Sequence, residues 1–149
     1  MKDQITQSEI EQLDKVYHAL IPSVQKTNEE LWKDKLQGIS TVEVSILSII
    51  ERKPDVILKE ITQILNVPAS TLTNAVDRLE KRGLLTRIIS KRDRRSFGLA
   101  LTEDGKLAQQ EHRQSEALLW QKILGAYETA EERSELIRLL SILAEKLTK

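Results

Sequence analysis

DVILKEITQILNVPASTLTNAVDRLEKRGLLTRIISKRDRRSFGLALTEDG, residues 55–105, is the stretch that decides the fold. Its pattern predicts a short helix over Leu58–Leu65, a tight turn at Asn66-Val67-Pro68, and a second helix over residues 69–82 that stops at Gly83. Two alternating apolar segments follow, residues 84–90 and 96–102, with Lys91-Arg92-Asp93-Arg94-Arg95 between them. Helix, turn, helix and a hairpin with a cationic tip is a layout suited to a DNA duplex: a helix enters the major groove and the tip reaches along the backbone.

In the second helix Leu72, Ala75, Val76 and Leu79 fall at i, i+3, i+4 and i+7, one apolar stripe. The opposite face carries Ser70, Thr73, Asn74, Asp77 and Arg78, with Thr71 at its edge. Short hydroxyl and amide side chains can donate and accept at close range, which suits base edges and phosphates. The same residues would also serve as an ordinary solvated face, and the hairpin that follows favours the first reading. Phe97, Leu99 and Leu101 alternate with Ser96, Gly98 and Ala100, the period-2 pattern of a half-buried strand. Gly83 fits a left-handed helix C-cap. Thr102, before Glu103 and Asp104, fits an N-cap with two acids at the positive end of a helix dipole.

Charge is segregated. Residues 77–95 hold eight cations and three anions, a net +5, whereas the whole chain has 23 of each sign and a net charge of zero. The rest of the chain is therefore at −5. A positive patch confined to a helix-turn-helix and its hairpin is the footprint of a polyanion-binding surface.

Asp93-Arg94-Arg95-Ser96-Phe97-Gly98-Leu99-Ala100-Leu101-Thr102-Glu103-Asp104-Gly105 resembles the wing signature of the MarR (multiple antibiotic resistance regulator) family, D-x-R-[ST]-x-x-hydrophobic-x-L-T-x-x-G. The preceding Val76-Asp77-Arg78-Leu79-Glu80-Lys81-Arg82-Gly83-Leu84-Leu85 resembles the end of that family's recognition helix, and the flanking helices fit as well. The resemblance implies a winged helix-turn-helix, mainly α with a small β-wing, flanked by long N- and C-terminal dimerisation helices. It implies that Asp93 pairs with Arg95 and steadies the wing, with Arg94 at the tip. Two departures stand out. Pro68 occupies the place of a usual polar N-cap, and Gly98 is expected to weaken the second wing strand.

A chain of 149 residues with 31% charged and 40% apolar residues suits one globular domain. The expected division is a single MarR-type domain over residues 1–149, with a DNA-binding lobe at 40–105 and a helical dimerisation lobe at 1–38 and 106–149. With no recognisable signal peptide and no run near the ~18 apolar residues of a membrane span, a soluble cytoplasmic protein is expected. There is no cysteine, which excludes disulfides, zinc-thiolate sites and thiol-based sensing.

Residues 6–36 read as one long helix opened by a Thr6–Glu9 capping box. Its seam of Ile10, Leu13, Tyr17, Leu20, Val24 and Leu31 is longer than one small domain needs for its own core, so it reads as half of a dimer interface. Pro22 is expected to bend it. Ser40 and Glu43 form a second capping box, opening a central helix that Pro54 ends. Val56 and Ile57 are expected to add a third strand to the wing sheet. A long helix from Glu103 to about residue 127 leads to a last helix carrying Leu136, Leu139, Leu140, Leu143 and Leu147, a stripe that needs a partner. No flexible linker interrupts the chain, so the lobes are expected to be rigidly joined.

An enzyme is not expected. His18 and His112 lie in no spacing that makes a metal pair or a base beside a nucleophile, and the five glycines form no phosphate loop. A metal site joining His112 with Glu111, Glu116 or His18 across a dimer is the alternative to the ordinary structural role of surface histidines; no metal or cofactor is expected. The expected partners are double-stranded DNA and a second copy of the chain. In the mechanism these readings imply, a homodimer sets two recognition helices about one helical turn (~34 Å) apart on a pseudo-palindromic operator. Ser70, Thr73, Asn74 and Arg78 read bases, Thr71, Lys91 and Arg92 hold phosphates, and Arg94 and Arg95 probe the minor groove. The resemblance further implies a repressor released by a small lipophilic or aromatic anion, with Tyr17, Trp32 and Trp120 as candidate pocket residues. The competing reading is a winged-helix interaction module, an antirepressor or docking protein, which would have no reason to keep four arginines and a lysine on its wing.

Overall fold

The computed structural model describes residues 4–32, 34–92 and 94–147. Helix α1, Gln7–Leu31, begins where predicted: the Thr6 hydroxyl accepts from the Glu9 amide at 3.2 Å, and the Glu9 carboxylate accepts from the Thr6 amide at 2.7 Å. It ends earlier than the expected residue 36, and Asp34–Leu36 forms a 3-10 turn instead. Long-range hydrogen bonds explain the change. The Lys35 amide donates to Glu111 at 3.1 Å, and Arg82 donates to the carbonyls of Lys35 and Gln37. Backbone groups that a continuous helix would satisfy internally are taken by distant side chains.

Helix α2, Thr41–Arg52, is opened by the expected Ser40–Glu43 box, with the Ser40 amide donating to Glu43 at 2.7 Å. Val44, Ile46, Leu47 and Ile50 are buried, so α2 runs through the middle of the core. Strand β1, Val56–Ile57, leads directly into helix α3, Leu58–Leu65. Asn66 then turns the chain with a left-handed φ of 49°, a conformation Asn tolerates better than most residues. Helix α4, Ala69–Lys81, follows, and Gly83 after it takes a φ of 71°, as its C-cap reading required. The wing is β2, Leu85–Ile89, and β3, Phe97–Leu101.

The three strands form an antiparallel sheet in the order β1-β3-β2, with Val56 opposite Leu99 and Arg87 also opposite Leu99 on the other side. Helix α5, Glu103–Leu124, starts at Thr102, whose hydroxyl accepts from the Gly105 amide at 3.0 Å and donates to the Gly83 carbonyl. That one side chain ties the end of the wing to the end of α4. Helix α6, Ala130–Leu147, opens on a third capping arrangement between Thr129 and Glu132.

The chain divides into two compact units, residues 32–115 and residues 1–31 with 116–149. The first holds the continuous core, including Leu36, Leu47, Val56, Ile61, Leu72, Val76, Leu79 and Leu99. Each such side chain removed from water contributes about 1.5–3 kcal/mol before entropy is counted. In the second unit neither α1 nor α6 has a buried residue. Ile10, Leu13, Tyr17 and Leu20 are exposed on α1, and Leu139, Leu140, Leu143 and Leu147 on α6. No helix among the described residues is long and apolar enough to cross a membrane.

Candidate nucleic-acid interface

Helix α4 is divided as its sequence predicts. Leu72, Ala75, Val76 and Leu79 are buried, while Ser70, Thr71, Thr73, Asn74 and Arg78 are exposed on the other side. Pro68 at the N-cap offers no side-chain acceptor to the first-turn amides, so they remain available to an outside anion. The Thr73 hydroxyl donates to the Ala69 carbonyl at 2.9 Å, which leaves its lone pairs and methyl group facing outward. Asn74 keeps both a donor and an acceptor for a base edge.

Arg78 is engaged. Its Nε donates to Glu43 at 2.8 Å, joining α4 to the start of α2, and its guanidinium is otherwise largely exposed. Burial pushes the Glu43 carboxyl up, but the Ser40 amide, the Arg78 guanidinium and the Ser40 hydroxyl together bring it below the ordinary glutamate value. Arg87 ties β2 to the same helix: it donates to Asp77 at 2.6 Å and also bonds Glu80. The wing is therefore held to α4 by ion pairs as well as by the turn at Gly83.

A third set of bonds fixes the wing tip. Asp55 sits in a left-handed conformation with φ of 63° between α2 and β1. Its Oδ2 accepts from the Ser90 hydroxyl at 3.0 Å, the Lys91 amide at 2.9 Å and the Arg92 amide at 3.4 Å. Arg92 returns the contact, donating to the Asp55 carbonyl at 2.8 Å and to Glu60 on α3 at 2.6 Å. Arg92, with Lys53 and the Ile57 amide, holds the Glu60 carboxyl well below the usual carboxylate range. Arg92 was expected to hold phosphate; its guanidinium clasps the wing to the helix-turn-helix. Lys91, Arg94 and Arg95 are exposed. Asp93, and with it the expected Asp93–Arg95 pairing, lies outside the described residues.

Two findings bear on the second wing strand. Gly98, expected to weaken the strand, is also buried against Asp55: a β-carbon there would collide with the Asp55 carboxylate, which gives the glycine a packing reason. Phe97 is 62% exposed, opposite Ile89 at 68%, so the expected half-burial fails at that end of the strand. On its face of the sheet the pair lies one step beyond the Arg87–Leu99 pair, where Leu99 is buried and Arg87 is tied to α4. Sequence reasoning also missed Asp55, Glu60 and Glu43 as organisers of the surface. The turn Lys53-Pro54-Asp55 was the one local signal for Asp55.

The expected pocket residues belong to different units. Trp32 is buried in the core of the winged-helix unit, whereas Tyr17 and Trp120 are exposed residues of the helical unit. Among the described residues no three His, Cys, Asp or Glu side chains cluster as metal ligands.

A helix-turn-helix backed by a three-stranded wing, with one polar helix face and arginines at the wing tip, defines the winged-helix class. The family model for the MarR family matches residues 39–97. YpoP, an uncharacterised HTH-type transcriptional regulator of Bacillus subtilis, is 33% identical over 108 residues, covering 72% of this chain and 76% of YpoP. The HTH-type transcriptional repressor MdtR of Bacillus subtilis is 30% identical over 71 residues, covering 48% of this chain but only 46% of MdtR. FabT of Streptococcus pneumoniae, solved in complex with DNA, superposes with a TM-score of 0.80 at 25% identity, covering 93% of this chain and 97% of FabT. The chain belongs to the MarR family, whose members regulate transcription and are not enzymes.

Proposed function

We propose that this chain is a homodimeric regulator that binds a pseudo-palindromic operator in double-stranded DNA and acts as a repressor released by a small ligand. The observation that carries the reading is the exposed face Ser70, Thr71, Thr73 and Asn74 on α4, in the same compact unit as the exposed Lys91, Arg94 and Arg95 of the wing. Ser70, Thr73 and Asn74 read base edges; Thr71 and Lys91 hold phosphates; Arg94 and Arg95 enter the minor groove. Arg78 reaches bases with the nitrogens that Glu43 leaves free, and Arg92 acts through the wing it anchors. The exposed apolar stripes of α1 and α6 are the dimer contacts, since faces of that size rarely stay wet in a soluble protein. DNA-bound FabT and the repressor MdtR support the same reading.

The test is fluorescence anisotropy on duplex DNA from upstream of the protein's own gene, against scrambled duplex, across a salt series. Dimer-stoichiometric binding with a steep salt slope and a marked preference for the upstream duplex is expected. Weak binding with no preference for any genomic duplex would sink it.

A further inference from the structure

The root of the wing tip carries an apolar pair that the core does not cover. Ile89, the last residue of β2, stands opposite Phe97, the first of β3, and both are more than half exposed. The hairpin is closed at this point: the Ser90 amide donates to the Ser96 carbonyl at 3.0 Å. Ser90 and Gly98, the next residues along the two strands, are buried, the first bonded to Asp55 and the second packed against it. Successive strand side chains point to opposite faces. One face at the end of the wing is therefore packed, while the other holds two large apolar groups in water. Ile89 shares its face with Arg87, which reaches Asp77 and Glu80, so the pair lies on the α4 side of the sheet. The loop that it closes carries the exposed Lys91, Arg94 and Arg95.

We propose that Phe97 and Ile89 pack on the deoxyribose wall of the minor groove that Arg94 and Arg95 enter. Deoxyribose presents C–H groups flanked by phosphates, which complements an apolar pair flanked by cations. A protein partner fits less well. A phenylalanine covers roughly 150–250 Å², and even with Ile89 the pair falls far short of the about 800 Å² that each side of a stable protein interface buries. A duplex needs no such area, because the cations supply affinity by releasing counterions. The pair adds a contact of another physical kind, one that reads no sequence and releases no counterion, so it keeps the wing seated as salt rises. This contact rests on the DNA-binding reading of the wing.

The experiment compares the intact protein with Phe97→Ala, which removes the ring, and Ile89→Thr, which shortens the apolar side chain but keeps a β-branched strand residue. Anisotropy is followed on upstream and scrambled duplexes across a salt series, with light scattering on the same samples. Each variant is expected to bind both duplexes about five- to tenfold more weakly at every salt concentration, with the parental salt slope. Phe97→Leu, which restores an apolar side chain, is expected to recover most of the loss. A wing merely loosened by substitution would withdraw Arg94 and Arg95 from the groove and lower the slope. Parental affinity in both variants, a lowered slope, or a loss that follows a change from dimer to monomer overturns the contact, and the last assigns the pair to a second copy of the chain. Those outcomes, with a parent that binds DNA, refute the contact alone; a parent that binds no duplex refutes the DNA reading and the contact with it.

Discussion

The carboxylate of Asp55 occupies the space in which a β-carbon on residue 98 would lie, so Gly98 is the complement of Asp55 across the sheet. The same carboxylate gathers the amides of Lys91 and Arg92 and the hydroxyl of Ser90. A residue 35 positions before Ser90 in sequence thus sets the path of the wing tip.

Gly98→Ala should destabilise the protein by about 1–3 kcal/mol through overpacking, although Ala is ordinarily the better strand residue. Asp55→Gly removes the colliding oxygen and suits the left-handed backbone there, at the cost of the wing contacts. The double variant should therefore lose less than the sum of the two single losses. Urea denaturation of all four proteins measures this, and strict additivity would contradict the packing described.

Glu43 and Glu60 both have carboxyls held below the ordinary value of 4.5. A carboxyl with a lower pKa folded than unfolded contributes stability that is complete above the unfolded value and is lost as pH falls toward the folded one. Stability should be flat in pH near neutrality and decline below about pH 4.5. In Glu43→Gln the decline should be shallower, with a neutral-pH loss of about 1–3 kcal/mol from the weakened Ser40 and Arg78 bonds. Denaturation midpoints at pH 7, 5 and 3.5 read both effects; a parental slope in the variant would exclude Glu43 as a source.

Asn74→Ala should cost about 1–3 kcal/mol of binding to the specific duplex and almost nothing on scrambled duplex, because a base-reading amide carries discrimination and little charge. Equal losses on the two duplexes would remove Asn74 from the reading surface.

Arg95→Ala should weaken binding to all duplexes, reduce the salt slope by about one, and blunt any preference for A·T-rich flanks. Anisotropy on duplexes differing only in their flanks separates charge from shape. Parental affinity and slope in the variant would take Arg95 out of the interface.

Leu140→Glu places a charge in the exposed apolar stripe of α6. If that stripe is the dimer contact, light scattering should show a shift from dimer to monomer and a collapse of affinity for the two-half-site duplex. A variant that stays dimeric would move the interface elsewhere.

Much of the architecture was legible because its signals are local. The α3–turn–α4 boundaries, the Ser40–Glu43 box and the Gly83 cap each depend on residues within a turn or two of one another. The polar face of α4 followed from helical periodicity alone, since a 3.6-residue repeat fixes which side chains share a side. The end of α1 was misjudged because its stop is imposed by Glu111 and Arg82, partners remote in sequence.

The sequence by itself determined the helices, the wing, the segregation of charge and the family they belong to. Only the tertiary structure decided that Arg78 and Arg92 also carry structural ion pairs. Arg78 and Arg92 look equivalent to their neighbours in a list of basic residues, yet Glu43 and Glu60, 35 and 32 positions away, claim them. It also decided that Phe97 faces water and that Gly98 makes room for Asp55. Periodicity reports which face of an element a side chain occupies; what stands opposite that face is set by chain segments brought together across distances that no local pattern encodes.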